Sequence, residues 1–133
     1  MFLSLQDLSG VMGGGDAMRS LGMAGPYRLD DETIEREVRE TSAGNYALGN
    51  RDPEGQFVVG YVGRADADLR ARLKAWVGRT ERPVFKYRYA RSAEEAFRTE
   101  CEEYHEFHPP ENERHPARPD GTDWRCPRCG VFG

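Results

Sequence analysis

Lysine is nearly missing from this chain: Lys74 and Lys86 are the only two, so almost all positive charge rests on arginine. Long apolar runs are missing too. No stretch approaches the roughly 20 apolar residues that cross a bilayer, so no membrane partner is expected. Met1–Met12 has neither a basic start nor an extended apolar segment, so no signal peptide is read and the expected location is the cytoplasm. Cysteines are scarce and odd in number: Cys101, Cys126 and Cys129. In a reducing compartment such a set points to metal ligation or burial, not to a disulfide framework. With 133 residues, 38% hydrophobic and 32% charged, the chain has material for one modest core.

The net charge of −4 argues against a general nucleic-acid binder, but the charge is unevenly placed. From Arg64 to Arg91 nine basic residues face three acidic ones, a balance of +6, whereas Ser92 to Glu113 carries eight glutamates against one arginine, a balance of −7. A local basic surface can hold phosphates on an acidic protein. Two solvated faces that partly neutralise each other would give the same pattern.

Residues 1–26 contain Gly13-Gly14-Gly15 and Gly25-Pro26 and read as a flexible arm. A short helix is expected over 30–40, capped by Asp30 or Asp31, with Ile34 and Val38 on one face. Residues 45–48 and 56–62 read as strands of a hairpin around Asp52-Pro53-Glu54-Gly55, where proline presets φ and glycine permits positive φ. A helix over 66–77, with Asp66 as its N-cap, buries Leu69, Leu73, Trp76 and Val77. The alternation of 82–89 predicts a third strand. Ser92-Ala93-Glu94-Glu95 is a capping box that opens a helix to about Phe107, before Pro109-Pro110 stops it.

Specific residues sit on this order of strand, strand, helix, strand, helix. Tyr46 follows Gly44-Asn45 on the first strand, and Tyr61-Val62-Gly63 closes the second. Arg72 lies on the shoulder of the Leu69–Leu73–Trp76 stripe, where a guanidinium can reach a phosphate. Glu100 lies at the edge of the Ala93, Phe97, Cys101, Tyr104 stripe, and an ionised carboxylate there needs a partner or a metal. The pattern G-x-Y, Y-[IV]-G, Arg and a later helical Glu resembles the GIY-YIG nuclease family over about half the chain. The resemblance implies a small three-stranded antiparallel sheet flanked by helices, an α+β fold. It implies a metal-dependent nucleic-acid phosphodiesterase, a DNA endonuclease in the first instance. Tyr46 and Tyr61 would assist water attack, Arg72 would stabilise the transition state, and Glu100 would bind Mg²⁺. Arg64, Arg70 and Lys74 are the basic neighbours expected to touch substrate. Trp76 stands where the family commonly carries His or Tyr, so the alternative is a degenerate module that binds nucleic acid or protein without cleaving it.

Cys126-Pro127-Arg128-Cys129-Gly130 is a knuckle pattern in which two thiolates share a tight turn. Cys101 and His105, at i and i+4 on one helix face, are spaced to complete a structural zinc site; His108 and His115 compete for the fourth place. The organisation expected is an arm over 1–26, a GIY-YIG-like domain over 27–108, and a zinc-stapled tail over 109–133.

Overall fold

The computed structural model describes residues 21–130; most of the expected arm, residues 1–20, lies outside them. Strand β2 (Gly44–Arg51) and strand β3 (Phe57–Ala65) form the expected hairpin. Its turn closes through Gly55 N–H to the Asp52 carbonyl at 2.8 Å and through the Asp52 carboxylate, which accepts from the amides of Glu54 and Gln56. Strand β4 (Val84–Tyr89) pairs with the other edge of β2, Tyr46 opposite Tyr87 and Gly44 opposite Tyr89.

Among the described residues the sheet has four strands, not three. Strand β1 (Ala24–Arg28) pairs with β4, giving the order β1-β4-β2-β3 with every pair antiparallel. Gly25-Pro26 read as a break, yet proline is tolerated on an edge strand, and the register shifts between Ala24 and Tyr27 to accommodate it. The expected boundary between 26 and 27 therefore falls inside a strand.

Helix α1 (Asp31–Glu37) is capped by Asp30, whose carboxylate accepts from Thr33 N–H at 2.8 Å. Helix α2 (Leu69–Trp76) starts two residues later than expected from Asp66: the cap is Asp68, accepting from Ala71 N–H at 3.1 Å. That shift frees Asp66 for another role. Helix α3 (Ala93–Phe107) is capped by Ser92, while Glu95 reaches back to the amide and guanidinium of Arg91. Among the described residues no helix is long and apolar enough to cross a membrane.

The strand period separates two faces. Tyr46, Leu48 and Phe85 pack with Ile34 and Val38 of the α1 segment and with Leu69 and Leu73 of α2. The other face turns Asn45 toward α3, where its Nδ2 donates to the Ala96 carbonyl at 2.9 Å. That bond sets the height of α3 against β2, one helical turn before Glu100. Beyond α3 the tail builds a small core of its own from Phe97, Cys101, Cys126 and Trp124.

Candidate active site and metal centre

β3 is an edge strand, and part of its outer edge is satisfied by the tail. Glu111 N–H donates to the Gly60 carbonyl at 2.9 Å. The Asn112 side-chain amide accepts from Val62 N–H at 2.8 Å and donates to the Val62 carbonyl at 2.9 Å, imitating a neighbouring strand. Just past this capped stretch the edge opens into a cleft of about 220 Å³, lined by Tyr46, Tyr61, Arg64, Asp66, Arg72, Glu100 and Ala117.

Tyr46 reaches that edge because Gly63 lies opposite it on β3. A Cβ on Gly63 would sit 2.5 Å from the Tyr46 Oη, so only glycine lets the ring lie across the strand. The Trp76 indole N–H donates to Tyr46 Oη at 2.7 Å, and the Tyr46 and Tyr61 rings pack with their centroids 6.2 Å apart. Trp76 therefore orients Tyr46 by a hydrogen bond and Tyr61 by ring packing at 5.1 Å. Burial pushes both phenols above their ordinary range; the Glu100 carboxylate adds to the effect at Tyr61, and the Trp76 bond offsets part of it at Tyr46. Both stay protonated near neutrality, so they act as oriented donors and acceptors.

Glu100 comes from the opposite face. Its Oε1 accepts from Arg64 Nη1 at 2.7 Å, with the two side chains only 9% and 13% exposed. Arg64 also donates from Nε to Asp66 at 2.8 Å and lies over the Phe97 ring. Burial raises the Glu100 carboxyl above its ordinary range and the Arg64 guanidinium pulls it partly back. Glu100 and Asp66 together offer carboxylate oxygens beside an arginine-lined opening. Magnesium takes such a donor set, usually one or two carboxylates completed by waters and substrate phosphate. Arg72 is exposed at the mouth.

Two expected substrate contacts lie elsewhere. Arg70 donates to the carbonyls of Val38 at 2.8 Å and Arg39 at 2.6 Å, closing the C-terminal end of α1. Lys74 pairs with Glu35 of α1. Each is two positions from Arg72, about 200° around a helix, so α2 turns them toward α1 while Arg72 turns to the cleft. Asp66, read as a cap, is a cleft residue that sequence reasoning missed.

A second cluster lies on the tail side of α3. One ligand atom from each of His105, His115, Cys126 and Cys129 lies within 4.8 Å of the others. Two thiols and two imidazoles match the donor set and number of a tetrahedral zinc site. His115 Nδ1 bonds the Pro116 carbonyl at 2.9 Å, which leaves Nε2 to face Cys129 Sγ at 3.5 Å. Such outer bonds fix the tautomer of a ligating histidine. Among the described residues His105 Nε2 is buried with no hydrogen-bond partner, and a metal would satisfy it. Burial pushes the Cys126 thiol up, but the amides of Cys129 and Arg128, with His115, bring it down to about 6.

Cys101, expected as a ligand beside His105, lies outside this group of four, and His115 takes that place. Cys101 is fully buried in the cluster with Phe97 and Cys126, against which Trp124 packs. Burial drives its thiol well above the ordinary range, which keeps it protonated beneath the site. His108 caps α3 in the left-handed conformation at φ 45° and takes no part. No protein family, curated protein or solved structure matches this chain.

Proposed function

We propose that the chain is a GIY-YIG-like, metal-dependent nucleic-acid phosphodiesterase, probed first on DNA, with a structural zinc in its tail. The supporting observation is the convergence of Tyr46, Tyr61, Arg72 and Glu100, drawn from two strands and two helices, on one open cleft. Arg72 would grip the scissile phosphodiester and offset charge gained in the transition state. Glu100, helped by Asp66, would hold Mg²⁺, which when bound supplies neutralisation of the phosphate and the leaving oxygen. The Tyr61 hydroxyl, oriented by Tyr46 and Trp76, would position the attacking water. Arg64 opposes the upward shift that burial imposes on the Glu100 carboxyl. His105, His115, Cys126 and Cys129 would hold zinc with every position filled by protein, a staple and not a reaction centre.

Binding without cleavage is the second reading. The Arg64–Glu100 pair engages the carboxylate that a metal would need, and Trp76 engages the Tyr46 oxygen. Incubation with branched, single-stranded and duplex DNA in the presence of Mg²⁺ separates the two. The first reading expects metal-dependent cleavage that Glu100→Ala abolishes; cleavage unchanged by that substitution removes it. Salt-dependent binding without any product supports the second.

A further inference from the structure

The tetrad and the cleft share a wall. His115 belongs to the group of four and also borders a second compartment of about 400 Å³, which shares Tyr61, Glu100 and Ala117 with the cleft. The rest of that compartment is lined by the tail from Glu111 to Pro116. This tail is anchored at Asn112 by its two bonds to Val62 and at His115 by the tetrad. Only Glu113 and Arg114 separate the anchors, so the segment between them has a short reach. Without a metal on His115, the wall beyond Asn112 rests on weaker contacts, the His115 ring against Tyr104 and His105 and the buried Pro116.

We propose that the metal is a positioning device for the cleft: by holding His115 it keeps residues 112–117 as a strap, and the strap makes the second compartment a pocket for one unpaired nucleobase. This inference rests on the reading of the cleft as a phosphodiester site. A volume of about 400 Å³ falls in the range of small-ligand sites, about 300–1,000 Å³, and the Tyr61 ring offers a face on which any base can stack. The strap stands over the β3 edge where a second strand would have to pass, and it carries the exposed Glu113 there, a charge that repels a second phosphate backbone, while Glu111 is paired with Arg82. Arg72, exposed at the mouth, serves a single backbone, because Arg64 is held by Glu100 and Asp66. The ligand class is therefore a single strand threaded between the strap and α2, with the phosphate at Arg72 and one base beside His115 and Tyr61.

The test uses the full zinc-loaded chain, without Mg²⁺, and a short dye-labelled deoxyoligonucleotide, single-stranded or annealed. Binding is read by fluorescence anisotropy and the strap by hydrogen exchange. Removing zinc with a chelator should weaken single-strand binding about tenfold, the loss of one stacked base, and speed exchange over residues 112–117 while β2 and β3 stay protected. Ala117→Trp, which narrows the shared wall, should weaken binding with zinc content unchanged, so a folding failure in His115→Ala does not decide the matter. Binding that needs Arg72 yet ignores both chelation and Ala117→Trp overturns the strap and leaves the phosphodiester reading intact. Equal or tighter binding of the duplex overturns the unpaired ligand. If Arg72→Ala changes binding of neither form, the phosphodiester reading falls and takes this inference with it.

Discussion

Glu103 is a buried carboxyl on α3 whose Oε1 has no hydrogen-bond partner among the described residues. Burial raises its pKa from the usual 4.5 to about 8; Arg88 opposes the rise and Glu100 adds to it. Between about pH 4.5 and pH 8 the native protein thus holds a proton that the unfolded chain has already released. Stability must fall as pH climbs through that window, because there the folded state binds more protons than the unfolded one. At about 1.4 kcal/mol per unit, the rise from 4.5 to about 8 corresponds to a cost on the order of 4–5 kcal/mol once the group is ionised. Glu103→Gln keeps the shape and removes the charge. Urea unfolding by circular dichroism at pH 5, 7 and 9 should give nearly equal stability for the two proteins at pH 5. The variant should lead increasingly toward pH 9. Titrations common to both proteins, including protonation of the metal ligands, cancel in the difference. A variant with the same pH profile as the parent, or one that loses stability at pH 9, would refute the reasoning.

Three further outcomes are expected. Gly63→Ala should cost about 1–3 kcal/mol in urea unfolding, a typical penalty for overpacking, because its Cβ meets Tyr46 at 2.5 Å; unchanged stability would mean that the Tyr46 ring does not lie across β3. Purified protein should carry about one zinc per chain by metal analysis, and a metal-free preparation that melts normally would remove the staple. Cys101→Ala should keep the metal, whereas His115→Ala should lower zinc affinity by more than about 100-fold, beyond the loss typical of an outer-shell partner; the reverse ranking would restore Cys101 as the ligand.

Much of the hairpin, the three helices and the cleft was legible because strong local chemistry marked each piece. Asp-Pro and glycine turned the hairpin, alternation marked β4, and Ser92 capped α3. Tyr46, Tyr61, Arg72 and Glu100 could be placed because each followed a recognisable spacing on a regular element. What escaped depended on tertiary placement. β1 was hidden by Gly25-Pro26, whose local reading is a break and whose actual setting is an edge strand. Asp66 and Asp68 are equally good caps in sequence, and only the start of α2 decides between them. Arg70 and Lys74 looked like part of a basic surface until the position of α1 claimed them. His115 sits in an irregular tail with no periodicity to aim it, and Cys101 follows the helix stripe into the core instead of the metal group. Asn112 gave no local sign that its amide would complete the edge of β3.

The central claim is that Arg72 and Glu100 act on one phosphodiester as a single site. Its most direct test is a double-mutant cycle of Mg²⁺-dependent single-turnover cleavage, with Arg72→Ala, Glu100→Gln and the pair. Groups that work as a unit lose activity non-additively. Each single change should slow cleavage by about 100-fold or more, and the double variant should be little slower than the worse single. Cleavage that survives either substitution, or two losses that simply multiply, would contradict a shared site.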